Sequence, residues 1–145
     1  VTDPIINTYD VVILGEMSIT NAETTMFTNW VNAGGTLITF RPDSKLYTLL
    51  GITAPGGTLT DKYLLVNNTG AGAGIVNQTI QYHGTATNYS LNGATALATL
   101  YSGAVTATTN PAVTTINVGS NGGKAIAFAF DLARSVIYTR QGNPS

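Results

Sequence analysis

The fold is decided by Tyr9-Asp-Val-Val-Ile-Leu-Gly15, then Trp30-Val-Asn-Ala-Gly-Gly35, then Thr36-Leu-Ile-Thr-Phe40. The first and third stretches are short apolar runs, typical of buried parallel strands. Between them, Thr20 or Asn21 can cap a helix that the glycine pair ends. A strand, a helix and a second strand within about thirty residues predict a right-handed crossover that joins a parallel pair.

The rest of the chain mixes two patterns. Asp43 to Leu50 predicts a short helix, and Ala125 to Phe130 predicts an apolar strand that Asp131 follows as the cap of a helix over Leu132 to Arg140. Between these parts, short β-prone runs separated by Gly, Asn and Pro predict antiparallel hairpins or a meander. These runs are Tyr63–Val66, Ile75–Tyr82, Ala94–Tyr101 and Ala112–Val118.

The composition is unusual in its charge. Only 9% of the 145 residues are charged, although 43% are hydrophobic, and a typical soluble protein has about 25% charged residues. Thr alone outnumbers Asp, Glu, Lys and Arg together. Cytosolic proteins use charge to stay soluble, so this composition predicts an extracellular or cell-surface protein, and Val1, which no Met precedes, predicts a mature or excised product.

Several classes of partner and chemistry are disfavoured by the sequence. A net charge of −1 without Lys or Arg clusters offers nothing to neutralise a phosphate backbone, so nucleic acid is not expected. There is no apolar run long enough to span a membrane, and no cofactor is expected. The absence of Cys excludes disulfides, thiolate metal sites and a cysteine nucleophile.

The order of the first three stretches, with the strand over Ala125 to Asp131, resembles the class I glutamine amidotransferase-like superfamily. It is most similar to the branch that holds trehalose-utilisation-type proteins and the trimerisation domain of some β-galactosidases. The resemblance covers residues 9–51 and 123–140. It implies one domain over residues 1–145, an α/β flavodoxin-like three-layer sandwich that lacks the usual first strand-helix unit and has a β-rich, antiparallel middle section.

The same resemblance implies that the catalytic apparatus is missing. The family's nucleophilic cysteine would follow Phe40, where the chain has Arg41-Pro42-Asp43, and its histidine and acid would follow Phe130, where the chain has Asp131-Leu132-Ala133. Without a nucleophile and its base, thiol acyl transfer cannot occur. We therefore expect no enzymatic activity of that kind.

Four polar residues follow the ends of the expected parallel strands, where α/β folds place ligand sites. They are Glu16, Arg41, Asp43 and Asp131. Their carboxylates can bind a cation or assist hydrolysis, and they can equally serve as helix caps and a local ion pair. His83 is the only histidine, so neither a triad nor a histidine metal pair is available, and a structural or surface role is expected.

Two further patterns concern sugars. Asn67, Asn77 and Asn88 begin N-glycosylation triplets, and Thr106, Thr108 and Thr109 lie in a Thr/Pro stretch typical of O-glycosylation. The strand tyrosines Tyr63, Tyr82, Tyr89 and Tyr101 can form a sugar-binding surface, or can be half-buried packing residues.

Three functions remain as hypotheses. The first is a non-catalytic extracellular structural domain that assembles with its own copies or with neighbouring modules into a fibre or surface layer, because low charge leaves sheet edges poorly defended. The second is a carbohydrate-binding or accessory module of a larger secreted enzyme, favoured by the end at Arg140-Gln-Gly-Asn-Pro-Ser145. The third is a hydrolase that uses the carboxylates of Glu16, Asp43 and Asp131.

Overall fold

The computed structural model describes residues 3–54 and 56–142, so expectations that rest on Val1, Pro55 or residues 143–145 lie outside it. The helices are α1 (Asp3–Ile6), α2 (Asn21–Asn32), α3 (Tyr47–Leu50) and α4 (Leu132–Gln141), with 3-10 turns at Ser44–Leu46 and Gly70–Gly72. The strands are β1 (Val11–Leu14), β2 (Thr36–Phe40), β3 (Ile52–Thr53), β4 (Thr58–Thr60), β5 (Tyr63–Val66), β6 (Ile80–Gln81), β7 (Thr85–Thr87), β8 (Ser90–Leu91), β9 (Thr95–Gly103), β10 (Thr106–Val118) and β11 (Gly123–Phe128).

The main sheet joins a parallel part to an antiparallel part. Its seven strands lie in the order β1-β2-β11-β10-β9-β5-β6. The pairs β1–β2 and β2–β11 are parallel, and every later pair is antiparallel. Two small antiparallel pairs, β3–β8 and β4–β7, lie outside this sheet. The sheet is therefore mixed, and it curls into a half-barrel.

The helix α2 begins where its sequence predicts. Thr20 is the N-cap, and its side chain accepts a hydrogen bond from the Glu23 N–H while the Glu23 carboxylate accepts one from the Thr20 N–H at 2.7 Å. These bonds from Thr20 hold the pKa of Glu23 below its ordinary value, because they favour the ionised carboxylate. The buried side of the helix consists of Met26, Phe27, Trp30 and Val31.

Two glycines let α2 lie directly on the sheet. A Cβ at Gly35 would overlap the indole ring of Trp30, and a Cβ at Gly123 would overlap the main chain of Val31. Gly35 lies two residues before Leu37, and Gly123 lies two residues before Ala125. Both glycines therefore lie on the same face of the sheet as these two fully buried side chains. The helix therefore covers the face of β2 and β11 that carries these side chains.

The expected flavodoxin-like three-layer sandwich is wrong. The described chain is 38% strand and 25% helix, and only β1, β2 and β11 are parallel. The helix α3 lies on the same face as α2, since its cap Gly51 approaches Ile116, the register partner of Ala125. No helix covers the other face of these three strands, so a third layer is absent from the described parallel part.

Most elements expected from the sequence are present. The strands β1, β2, β5, β9 and β11 and the helices α2 and α4 form at or within a few residues of their expected positions. The antiparallel pairing expected for the middle of the chain is also present. The prediction of one strand over Ile75 to Tyr82 is wrong, because only Ile80–Gln81 forms a strand. The residues before it form a 3-10 turn at Gly70–Gly72 and then a loop to residue 79.

Where the resembled family has its first strand-helix unit, this chain has the short helix α1, and no strand precedes β1 in residues 3–10. Ile6 at the end of α1 is buried, and it lies beside Met26 and Trp30 of α2. The strand β1 consequently remains at the edge of the sheet, with β2 as its one strand partner among residues 3–54 and 56–142.

The glycine contact under α2 gives the first testable prediction. Gly35→Ala should lower the free energy of unfolding by about 1–3 kcal/mol, because the added methyl group overpacks the Trp30 ring. Gly15→Ala is the matched control, since a Cβ there meets no atom within 4 Å, and it should change stability by less than about 0.5 kcal/mol. Chemical denaturation of both variants measures this, and equal effects would contradict the packing described.

Candidate interaction surface

The face of the parallel strands opposite α2 is apolar, and no helix in the described part of the chain covers it. The strands β1, β2 and β11 run in register, so alternate side chains share this face. We call it the open face and define it by six residues: Val11, Ile13, Ile38, Phe40, Ile126 and Phe128. Val11 is 50% exposed and Ile13 is 59% exposed, whereas the other four are half-buried.

The open face has a fixed shape at one end. The rings of Phe40 and Phe128 meet edge to face with their centroids 5.4 Å apart, and Phe128 makes a second edge contact with Phe130 at 6.0 Å. Edge-to-face pairs restrict the ring orientations. The aromatic end of the open face is thus packed ring against ring, while its aliphatic end, at Val11 and Ile13, is the more exposed part.

Charge is nearly absent from this side of the three strands. The registers place Thr36 and Lys124 on the same face, at the amino-terminal ends of β2 and β11. Lys124 is the one charged residue that β1, β2 and β11 contribute to it. A partner that covers the open face would therefore desolvate little besides hydrocarbon, which is the favourable case for burial.

An apolar cavity of about 170 Å³ continues the open face towards β10 and β9. It begins at Phe128 and is lined further by Val66, Ala71, Gly72, Ile75, Leu97, Ala98 and Val113. Ile75 is 48% exposed at its rim. The exposed hydrocarbon is consequently one continuous strip, and contiguous apolar strips of this kind mark interaction sites more often than scattered apolar residues do.

Glu16, Arg41, Asp43 and Asp131 follow the carboxyl ends of β1, β2 and β11, and their side chains form hydrogen bonds with nearby residues. Arg41 follows β2 with a positive φ of 45°, and its Nη1 donates to Glu16 Oε1 at 2.7 Å. Its Nε donates to Thr87 at 3.2 Å. Arg41 therefore links the ends of β1, β2 and β7, and Glu16 is its counter-ion.

The two aspartates are helix caps. Asp43 accepts hydrogen bonds from the N–H groups of Lys45 at 2.9 Å and Ile19 at 3.2 Å, and Asp131 accepts one from the Arg134 N–H at 3.0 Å. The bond from the Lys45 N–H, with a smaller contribution from Ile19, holds the pKa of Asp43 below its ordinary value.

No group of three or more His, Asp or Glu side chains that could hold a metal ion occurs in residues 3–54 and 56–142. Glu16 pairs with Arg41, and Asp43 and Asp131 cap two different helical segments, so each of the three carboxylates named in the hydrolase hypothesis has a local structural role.

His83 lies in the packed region between β6 and α4. Its N–H donates to the Ser135 hydroxyl at 3.0 Å, and its Nδ1 lies 3.9 Å from Asp61 Oδ1. Asp61 Oδ1 accepts a hydrogen bond from the Gly84 N–H at 2.8 Å. These contacts fit the structural role expected for His83.

The strand tyrosines do not form a common surface. Tyr82 is buried, stacks on Phe130 at 4.8 Å and donates its hydroxyl to the Leu59 carbonyl at 3.0 Å. Tyr89 is also buried and meets Tyr47 edge to face. Burial raises the pKa of both Tyr82 and Tyr89.

The other two strand tyrosines lie away from this core. Tyr63 and Tyr101 are half-buried register partners on β5 and β9. The interpretation of the four tyrosines as one sugar-binding surface is therefore wrong for Tyr82 and Tyr89.

The candidate glycosylation residues differ in accessibility and stay predictions. Asn77, Thr106 and Thr109 are exposed. Asn67, although exposed, donates its amide to the Ala96 carbonyl, and Thr108 donates its hydroxyl to the Leu100 carbonyl. Asn88 is half-buried, which makes it the least accessible of the three asparagines.

No family model matches the chain, and no curated protein matches it in sequence. Solved structures do match. The β-galactosidase from Rahnella sp. R3 is 21% identical with a TM-score of 0.69, over 95% of this chain and 23% of that one. The exo-β-1,4-mannosidase Op5Man5 from Opitutaceae bacterium strain TAV5 is 17% identical with a TM-score of 0.69, over 92% and 22%.

A third match is a protein domain by itself. The N-terminal domain of mmIFT52 is 15% identical with a TM-score of 0.72, over 99% of this chain and 75% of that one. The chain thus spans about a fifth of the length of the two glycosidases, and at these identities the likenesses show the fold alone. They support the β-galactosidase part of the expected resemblance and not the amidotransferase part.

The sequence carried too weak a signal to reveal the open face. Val-Val-Ile-Leu in β1 is apolar at every position, so it predicts a strand without saying whether one face or both are covered.

No helix in the described ranges is both long and apolar enough to cross a bilayer.

The Asp43 cap gives a prediction on pH dependence. A carboxyl whose folded-state pKa is depressed stabilises the fold above its unfolded-state pKa, and this contribution is lost as the pH falls through the folded-state pKa. Asp43→Asn removes the titration and keeps the shape. The difference in unfolding free energy between wild type and variant should therefore be largest near neutral pH, begin to fall near the ordinary carboxyl pKa of 3.8, and level off only below the depressed folded-state pKa. Denaturation at a series of pH values measures it, and a pH-independent difference would contradict the role assigned to the Asp43 charge.

Proposed function

We propose that this domain is a non-catalytic accessory module of a larger extracellular carbohydrate-active enzyme, and that its open face packs on another domain of the same polypeptide. The observation that carries the proposal is the apolar face of β1, β2 and β11, which no helix in residues 3–54 and 56–142 covers. A sheet buries its hydrophobic faces against further layers, and the described residues supply no such layer on this side of the three strands.

The size of the strip favours a domain of the same polypeptide over a separate chain. Five strands spaced about 4.8 Å apart and about five residues long give a strip of roughly 24 Å by 17 Å, or about 400 Å² per side. Interfaces between separate proteins bury about 800 Å² per partner, whereas interfaces between domains of one chain start at about 600 Å² in total. A covalent link supplies the effective concentration that a small interface needs.

The comparisons fit this proposal at the level of fold. Domains with the same architecture occur within β-galactosidase and mannosidase chains more than four times the length of this one. The low charge of the chain supports an extracellular setting. Assembly into a fibre or surface layer, the first hypothesis from the sequence, has no support from the comparisons.

The proposal predicts that a charged side chain on the open face destabilises the protein only when the neighbouring domain is present. In the isolated chain, Ile13→Glu should change the free energy of unfolding by less than about 0.5 kcal/mol, because Ile13 is 59% exposed. In the complete gene product, the same change should cost more than about 1 kcal/mol, because the carboxylate would be buried without a partner. Val105→Glu is the control, since Val105 is 92% exposed and lies outside the open face.

Thermal unfolding of both proteins and both variants provides the measurement, with sedimentation velocity of the isolated chain beside it. A monomeric isolated chain is expected. A complete gene product that adds no further domain, or an Ile13→Glu effect of equal size in both contexts, would overturn the proposal. An isolated chain that dimerises, and becomes monomeric as Ile13→Glu, would show that a second copy covers the open face instead.

A further inference from the structure

A polar groove lies at the amino-terminal ends of the parallel strands, and its residues are not part of the open face. Tyr9 and Asp10 precede β1, Gly34 and Gly35 precede β2, and Asn121 precedes β11. With Asn7, Trp30 and Ala33 they line a cavity of about 350 Å³. A second hollow of about 240 Å³ shares Asn7, Trp30 and Ala33 with it, so the two form one groove along α1 and the end of α2. Its volume lies in the range of small-ligand sites.

The groove walls are held in place by the fold. The Tyr9 N–H donates to the Ile6 carbonyl at 3.1 Å, and Ile6 is anchored in the core. The Asp10 carbonyl accepts from the Thr36 N–H at 2.9 Å. On the other wall, Asn121 Nδ2 donates to the Asn32 carbonyl at 3.0 Å. The side chains that line the groove thus stand on fixed backbone, as a binding site requires.

Several polar groups in the groove form no hydrogen bond within residues 3–54 and 56–142. Asn7 and Asp10 are exposed, and neither side chain bonds to another residue in the ranges described. Asn121 uses its amide N–H but not its Oδ1 in those ranges. One carboxylate and two amides supply both acceptors and donors. Beside them, Tyr9 leaves 57% of its surface in water, which gives the groove an aromatic surface with a polar tip.

These groups select a class of ligand. Among the described residues, those that line the groove include no Lys or Arg, and Asp10 contributes a carboxylate, so anionic ligands are disfavoured. The lining is more polar than apolar, so a purely hydrophobic ligand is disfavoured as well. A neutral sugar ring combines hydroxyls, which carboxylates and amides bind, with an apolar C–H face, which an aromatic ring covers.

We propose that the groove formed by Asn7, Tyr9, Asp10 and Asn121 binds one or two units of a neutral carbohydrate, with Tyr9 stacking on a sugar ring. The site is shallow and open to solvent, so its affinity is weak, with a dissociation constant of about 1 mM. The groove lies at the amino-terminal ends of the strands, and none of the residues that line it belongs to the open face.

The test is an NMR titration of the ¹⁵N-labelled chain with three neutral disaccharides: lactose, cellobiose and β-1,4-mannobiose. Saturable shifts are expected for the amides of Gly34 and Gly35, the side-chain amide of Asn121 and the indole N–H of Trp30. Tyr9→Ala should weaken binding about tenfold or more through loss of the ring, whereas Tyr9→Phe should retain most of it. Asn117→Ala, an exposed asparagine on β10 outside the groove, is the control and should bind as wild type does.

Each other outcome decides against the site as proposed. If none of the three sugars gives saturable shifts up to about 50 mM, well above the expected dissociation constant, the groove is not a neutral-sugar site. Equal binding by Tyr9→Ala and wild type would place the sugar elsewhere. Saturation by tetramethylammonium, with loss in Asp10→Asn, would identify a cation site instead. Failure here leaves the accessory-module proposal standing, since that proposal is tested by Ile13→Glu.

Discussion

The close approach of α2 to the sheet is the constraint on which the rest of the structure depends. Gly35 and Gly123 remove the two Cβ atoms that would hold the helix away from β2 and β11, and Trp30 and Val31 fill the space. This contact gives the parallel strands one deeply buried face, with Leu37 and Ala125 fully inaccessible. It also directs every alternate side chain to the other face. The asymmetry of the sheet, packed on one side and open on the other, therefore follows from it.

Local sequence signals predicted the elements because the interactions that start and end them are local. The Thr20–Glu23 capping box, the Asp43 and Asp131 caps and the left-handed Gly51 lie within a few residues of the ends they fix. The sequence did not predict that β11 would insert between β2 and β10, because that arrangement depends on contacts about ninety positions apart along the chain. The absence of a third layer was equally hidden, since an entirely apolar strand does not reveal how many of its faces are covered.

The placement of the candidate sites, like the topology of the sheet, depends on contacts that local patterns do not report. General rules for α/β proteins direct attention to the carboxyl ends of the strands, and the polar residues there act as helix caps and as partners in ion pairs. Tyr82 and Tyr89 attracted a functional interpretation as aromatic residues, yet burial makes them core residues. By contrast, Tyr9 belongs to the stretch that defines β1, and its exposure depends on how α1 and α2 pack, which no local pattern reports. Asn121, in the turn between β10 and β11, carried no signal of its own.

Low charge and the open face are consistent with each other. An exposed apolar strip promotes non-specific association, and a protein with few charges has little electrostatic repulsion to oppose it. A freely diffusing domain with 9% charged residues and with Val11 and Ile13 exposed to water would have an apolar strip that favours non-specific association. It would also have little electrostatic repulsion to prevent that association. A domain whose strip is permanently covered by its own polypeptide does not need that protection, and its remaining surface can consist of Thr, Asn and Gly. The low charge of this chain is therefore consistent with the proposal that another domain of the same polypeptide covers the strip.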